Sequence, residues 1–109
     1  MNAHQAAIID LVIDQKAHTR GFRKRLEKAT EASFAWWKMI PDAYQLGAGL
    51  VIAYEVEDTH RVSMDKLRAY GRLWAELDEL GWELKLVVQD IRGGTWEPNM
   101  ADAYFTANP

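Results

Sequence analysis

Residues 41–90 read PDAYQLGAGLVIAYEVEDTHRVSMDKLRAYGRLWAELDELGWELKLVVQD, and this segment contains the clearest signals of secondary structure in the chain. Two runs rich in Tyr, Val, Ile and Leu surround Gly47-Ala48-Gly49. A short glycine-containing connection between such runs is typical of a β-hairpin. We therefore predict strands over residues 43–46 and 50–57.

The residues after the hairpin have the period of an amphipathic helix. Ser63 stands in an N-cap position, acidic Asp65 falls in the first turn, and Gly81 stands where a helix commonly ends. The apolar residues expected to face the sheet are Leu67, Tyr70, Trp74 and Leu77. Residues 84–88 then form a short apolar run, which we predict to be a strand parallel to the second hairpin strand after a right-handed crossover.

Helices are expected on both sides of this stretch. The spacing predicts a helix over residues 3–17, although the apolar run 8–13 is also compatible with a strand. A second helix is expected from Phe22 to Met39, capped by Thr19 and ended by Pro41. Residues 92–94 form a predicted turn, and a short helix follows from Pro98 to Phe105. The predicted fold class is α/β (α+β): N-terminal helices, a β-hairpin, a crossover helix and a further strand in a small mixed sheet.

Length and composition predict one globular domain over residues 1–109. The chain is 49% apolar and 27% charged and contains no cysteine, which excludes disulfides and Cys-ligated zinc. No leader segment and no apolar run of membrane-spanning length is evident. We therefore expect a cytoplasmic protein with no membrane association.

The charge is distributed unevenly along the chain. The net charge is −3, yet residues 1–40 hold an excess of basic residues, concentrated between residues 16 and 28. Such a patch is compatible with a surface that faces phosphates, and a solvated helix face is the alternative. The candidate nucleic-acid contacts are Arg20, Arg23, Lys24 and Lys28, with Arg68 and Arg72 on the crossover helix.

Three acidic residues are expected to converge at the open end of the hairpin. With the turn centred on Ala48, Asp42 should lie beside Glu55 on the neighbouring strand. Glu55 and Glu57 are two residues apart and should share one face of that strand. Because clustered carboxylates repel one another, a divalent cation would stabilise the group. These acids are therefore candidates for metal-assisted chemistry.

The order Pro-Asp, a short gap, Glu-x-Glu on the next strand, then a helix and a strand resembles the PD-(D/E)xK nuclease superfamily. The resemblance covers about residues 25–90, with 92–109 as a loop and tail, and implies a restriction-endonuclease-like core. It implies that Asp42 and Glu55 bind Mg²⁺ or Mn²⁺. A preceding helix often supplies another acid in this superfamily, which points to Glu31 or, less strongly, Glu27.

The third motif position, usually Lys, is occupied here by Glu57. In a variation of the superfamily the missing Lys comes from the following helix, and Lys66 is the candidate. The sequence Lys66-Leu-Arg-Ala-Tyr70 also resembles the Gln-x-x-x-Tyr helix of one exonuclease branch. The resemblance thus implies Asp42, Glu55, Glu57 and Lys66 as the catalytic set.

Two functions from different classes follow from these residues. The first is a small Mg²⁺-dependent nuclease that acts on nucleic acid, DNA in preference to RNA, as a homo-oligomer. The alternative is a non-catalytic phage or mobile-element protein with a similar core that binds a host protein. Metal binding that depends on Asp42 would distinguish the two. His60 and Asp90 are further residues that could assist such a site.

Overall fold

The computed structural model describes residues 1–59 and 61–107. In chain order its elements are α1 (Ala3–Asp14), α2 (Phe22–Thr30), β1 (Ala43–Gly47), β2 (Leu50–Glu57), α3 (Met64–Glu79), β3 (Glu83–Asp90), β4 (Thr95–Trp96) and α4 (Met100–Ala107). The strands form one mixed sheet in the order β1-β2-β3-β4. The predicted α+β class is therefore confirmed. Among the described residues, no helix combines the length and apolar character needed to cross a membrane.

The hairpin forms where the sequence predicts it. β1 and β2 pair antiparallel from Ala43↔Tyr54 to Gly47↔Leu50, so Ala48 and Gly49 form the turn. Gly49 has φ +77°, a conformation that glycine adopts without steric cost. The turn residues thus fix the register of the two strands.

The crossover helix and its following strand also agree with the sequence. The Ser63 hydroxyl accepts a hydrogen bond from Lys66 N at 3.1 Å, which caps α3. Gly81 follows the end of α3 with φ +77°. β3 then pairs parallel with β2 from Leu50↔Glu83 to Glu57↔Asp90, as predicted.

Helices cover both faces of the sheet because the side chains of β2 alternate between two apolar clusters. Val51 and Ala53 face the larger cluster, which also contains residues of α2, α3 and β3. Tyr54 and Val56 face a smaller cluster that is completed by Leu11 of α1. Of the four residues predicted to face the sheet from α3, Tyr70 and Leu77 are fully buried and Leu67 and Trp74 pack partly buried against the same core.

The second helix is shorter than predicted. α2 ends at Thr30, where Glu31 takes a left-handed conformation with φ +56°. The chain beyond it does not continue as helix, because the Glu27 carboxylate accepts a hydrogen bond from Phe34 N at 2.7 Å and Phe34 and Trp37 enter the core. The expected Thr19 cap is also wrong: the N-cap is Gly21, with no side-chain hydrogen bond.

The C-terminal segment packs on the outer face of α3. α4 approaches closely because α3 has a glycine, Gly71, at the contact. A Cβ atom at that position would lie 2.6 Å from Tyr104 N and 2.8 Å from the carbonyl carbon of Ala103. The predicted short helix after Pro98 is therefore present and starts at Met100.

Candidate active site

The hairpin register brings Asp42 beside Glu55. Ala43 pairs with Tyr54, so Asp42, one residue earlier, lies across from Glu55 at the open end of the hairpin. Asp42 Oδ2 also accepts a hydrogen bond from Val56 N at 2.8 Å, which joins this carboxylate to β2. The predicted placement of Asp42 opposite Glu55 is confirmed, and the metal-binding role implied for the pair stays a prediction.

Glu55 is a buried carboxylate that two side chains of α3 hold in place. Its exposed fraction is 3%. Lys66 Nζ donates to Oε1 at 2.9 Å, and the Tyr70 hydroxyl donates to Oε2 at 2.7 Å. Lys66 and Tyr70 are four residues apart and therefore lie on the same face of the helix. Residues from β2 and α3 thus form one polar group around a buried carboxylate.

The charges in this group influence one another. Burial raises the pKa of Glu55, the hydrogen bonds from Lys66 and Tyr70 lower it, and the negative charge of Asp42 raises it again. Burial also raises the pKa of Tyr70 well above its ordinary value, and the carboxylate of Glu55 adds to that effect. Asp42 and Glu55 therefore lie close enough for the charge on one carboxylate to affect the other.

His4 reaches the same place from α1. Its Nε2 lies 3.5 Å from Asp42 Oδ2, and about a third of the His4 side chain is exposed. His4 was not predicted, because a contact across 38 positions between a helix and a loop leaves no local pattern in the sequence.

Glu57 and Glu31, the other predicted acids, do not join the hydrogen bonds around Glu55. Glu57 is buried, and its Oε1 accepts a hydrogen bond from Val62 N at 2.8 Å. Glu31 is exposed at the end of α2. Within residues 1–59 and 61–107, no group of three or more His, Cys, Asp or Glu side chains is arranged to hold a metal ion. The acidic part of the candidate site is therefore the pair Asp42 and Glu55.

His60 and Asp90 were also predicted as residues that could assist the site. His60 falls outside the described residues. Asp90 pairs with Glu57 at the ends of the parallel strands, and its carboxylate is held by Arg92 N at 2.8 Å.

Of the predicted N-terminal basic contacts, Arg20 lies beside the candidate site. Arg20 and Asp42 line one groove of about 850 Å³ between α1 and the segment before β1. Lys24 and Lys28 are exposed on α2. Arg23 is less free, since it lies 3.9 Å from the Glu27 carboxylate and donates to Ala35 O at 3.4 Å.

The two arginines of α3 have local partners. Arg68 lies 3.4 Å from the Asp65 carboxylate. The Arg72 guanidinium stacks 3.9 Å from the ring centre of Trp36 and lies 3.5 Å from Glu76. Trp36 thus packs beneath an arginine, and its sequence neighbour Trp37 enters the core.

No family model, curated protein or solved structure matches this chain. The side chains at the open end of the hairpin are therefore the basis for a functional assignment.

Proposed function

We propose that this protein is a small metal-dependent nuclease that hydrolyses phosphodiester bonds in nucleic acid, with Asp42, Glu55 and Lys66 at its centre. One observation carries the proposal: Asp42, just before β1, stands opposite Glu55 of β2, and a lysine from the following helix contacts the buried Glu55 carboxylate at 2.9 Å. This is the set of residues that the resemblance to the PD-(D/E)xK superfamily implies when the motif lysine is supplied by the helix.

The donor atoms of Asp42 and Glu55 fit a small hard cation. Mg²⁺ is usually held by one or two carboxylates together with waters and substrate phosphates, so a pair of acids is an adequate protein contribution. Each carboxylate oxygen can accept more than one contact, so the hydrogen bonds to Val56 N, Lys66 and Tyr70 leave acceptor capacity. Mg²⁺ or Mn²⁺, when bound, supplies polarisation of the phosphodiester and a lowered pKa for the attacking water.

Lys66 and Tyr70 have separate roles in this proposal. About a third of the Lys66 side chain is exposed, so its ammonium group can contact both Glu55 and a phosphate oxygen. A positive charge there stabilises the negative charge that develops as the phosphodiester is attacked. Tyr70 is fully buried and holds the Glu55 carboxylate in one orientation, which makes it a positioning residue.

Glu57 holds a different position in the proposal. Its hydrogen bond to Val62 N fixes the segment that leads into α3, and therefore the start of the helix that carries Lys66. We expect Glu57→Gln to weaken cleavage only moderately, because an amide oxygen can accept the same hydrogen bond.

The basic surface supports nucleic acid as the substrate, and DNA is the first substrate to test. Arg20 lines the groove that reaches Asp42, and Lys24 and Lys28 extend positive charge along α2. Lysine and arginine side chains that contact phosphates displace counterions, which favours binding to a polyanion. This surface would guide a strand towards the carboxylate pair.

Cleavage tests the proposal directly. The purified protein is expected to cut single- or double-stranded DNA with Mg²⁺ or Mn²⁺ and to lose that activity in EDTA. Asp42→Asn and Glu55→Gln preserve size and polarity while removing negative charge, and each should abolish cleavage. Lys66→Ala should lower the rate by roughly 10²- to 10³-fold, the range for removal of one group that stabilises transition-state charge.

The control is Glu79→Gln, which makes the same chemical change on an exposed residue in the last turn of α3. This variant should cleave at the wild-type rate, and circular dichroism should show that all four variants are folded. Absence of cleavage with DNA and RNA, together with Mn²⁺ binding that is unchanged by Asp42→Asn, would overturn the proposal.

An interaction protein is the second candidate, and α1 favours it. Ile9, Val12 and Ile13 of this helix are exposed, although isoleucine and valine are usually buried. An apolar helix surface of this kind is typical of a binding surface for another protein. Indifference to metal, combined with a partner interaction that Ile13→Ser weakens, would support this candidate over the nuclease.

A further inference from the structure

A second cavity lies at the end of the sheet where β2 and β3 terminate. It has a volume of about 380 Å³, and its lining includes Glu57, Arg61, Asp90 and Trp96. Glu57 and Asp90 are paired in the parallel register, so their side chains lie on the same face of the sheet at its end. Ligands of open α/β sheets commonly bind outside the carboxyl ends of parallel strands, which is where this cavity lies.

Trp96 presents an aromatic surface to this cavity. Its exposed fraction is 46%, an unusual exposure for so large an apolar side chain. The backbone of Trp96 is fixed because β4 pairs with β3 at Val88↔Trp96. A tryptophan held on a strand and open to solvent can stack on a nucleobase of any sequence.

Glu57 brings a buried hydrogen-bond acceptor to the same cavity. The residue is only 6% exposed, and Val62 N is the donor that reaches its carboxylate among the described residues, at Oε1. Because Val62 N reaches Oε1, the second oxygen of the Glu57 carboxylate keeps acceptor capacity for a ligand in the cavity that carries N–H groups.

Arg61 adds a positive charge. The backbone N–H and guanidinium of Arg92 lower the pKa of Asp90, and the charge of Arg61 lowers it further, so Arg61 lies near Asp90 at the cavity wall. An exposed guanidinium group binds phosphate oxygens through several donors at once.

We infer that this cavity binds a nucleotide, with the base stacked on Trp96, N–H groups of the base donated to Glu57 and the phosphate on Arg61. Guanine fits best, because it presents a ring N–H and an amino group side by side to a carboxylate. Thymine and uracil place carbonyl oxygens on the same edge, where the carboxylate would repel them. The inference rests on the proposed function in treating the natural ligand as part of a nucleic-acid strand.

The position of Glu57 relates this cavity to the candidate active site. Glu55 and Glu57 are alternate residues of β2, roughly 7 Å apart along the strand. A base bound in the cavity would therefore belong to a nucleotide close to the one that is cleaved. Its Watson–Crick edge would have to be unpaired, which makes single-stranded or locally opened nucleic acid the expected substrate.

Nucleotide binding can be measured without any cleavage. The full-length protein in EDTA is titrated with dGMP and with dTMP by calorimetry, and the tryptophan indole N–H signals are followed by NMR. The signal that is missing in Trp96→Ala identifies Trp96. We expect dGMP to shift that signal and to bind roughly tenfold or more tightly than dTMP.

Three variants make the test specific. Trp96→Ala should weaken dGMP binding by roughly 5- to 150-fold, the range that base stacking contributes. Arg61→Gln should also weaken binding, and it is the second variant if Trp96→Ala fails to fold. Leu80→Ala is the matched control. Leu80 has the same exposed fraction as Trp96, 46%, but it lies at the C-terminal end of α3 and does not line the cavity.

Equal affinity for dGMP and dTMP, no binding of either nucleotide, or dGMP binding that Trp96→Ala leaves unchanged would overturn the inference. Because the titration contains no metal, its failure is separate from failure of the nuclease proposal. If the protein cleaves DNA but does not bind dGMP, the nuclease proposal stands and the inferred nucleotide site is refuted.

Discussion

The close contact between α3 and α4 predicts how much stability the protein loses when Gly71 is replaced. In Gly71→Ala, the new Cβ would lie 2.6, 2.8 and 2.9 Å from backbone atoms of Tyr104 and Ala103. Ordinary contact begins at 3.4 Å, so α4 would have to move outward by about 0.8 Å, the difference between 3.4 and 2.6 Å. Backbone atoms cannot rotate out of the way as a side chain can.

The cost of that movement exceeds the gain in helix propensity. Overpacking typically costs about 1–3 kcal/mol, and three backbone contacts place this site near the upper end. Alanine is more favourable than glycine inside a helix by up to about 1 kcal/mol. We expect a net loss of about 2 kcal/mol, which for a domain of this size lowers Tm by on the order of 10 °C.

Thermal unfolding followed by circular dichroism measures this loss. Gly47→Ala is the control, since a Cβ there would meet its nearest neighbour at 3.9 Å and the residue does not need a positive φ. That variant should be as stable as the wild type or slightly more stable. If Gly71→Ala unfolds at or above the wild-type Tm, the described approach of α4 to α3 is wrong.

Other predictions concern the core, the buried carboxylate and the basic surface. Leu77→Ala should lower the free energy of unfolding by about 2–5 kcal/mol in urea titrations, because Leu77 is fully buried; an unchanged midpoint would contradict its place in the core. Burial raises the pKa of folded Glu55 above its ordinary value of 4.5, so its contribution to stability is complete below 4.5 and is lost as pH rises through the folded pKa. In EDTA, the stability of Glu55→Gln relative to wild type should therefore increase as pH rises from 4.5 through the folded pKa of Glu55. A stability difference that does not depend on pH would contradict the raised pKa. Neutralising Lys24 and Lys28 to Gln should reduce the slope of log affinity for DNA against log salt by roughly one per lost contact, whereas an identical slope would make them part of an ordinary solvated surface.

The elements that were predicted correctly are those that have strong local signals in the sequence. The hairpin has a glycine turn followed by a strand rich in Val and Ile, and α3 has a capping serine and a terminal glycine. Because the turn fixes the register, the placement of Asp42 across from Glu55 followed from counting residues. Lys66 could be named from the resemblance alone, but its 2.9 Å contact with Glu55 confirms that the helix brings it to the pair.

The features that were missed depend on tertiary contacts. α2 ends at a left-handed Glu31, a position that usually holds glycine or asparagine, so no residue type marked the end before Pro41. β4 has two residues and exists because it pairs with β3. Glu57 shares a strand face with Glu55 as predicted, but its direction toward Val62 and the second cavity depends on a loop that periodicity does not describe.

The borders of the sheet determine how this protein can associate with other chains. His18 forms two backbone hydrogen bonds with Tyr44 and occupies part of the outer edge of β1. On the opposite side β4 is only two residues long, and the exposed part of β3 beyond it carries Glu83 and Lys85. Short and charged edges protect natural sheets against pairing with another strand and against amyloid-like growth. If another protein chain binds here, helix surfaces such as the exposed face of α1 are therefore the expected contacts, and the sheet edges are not.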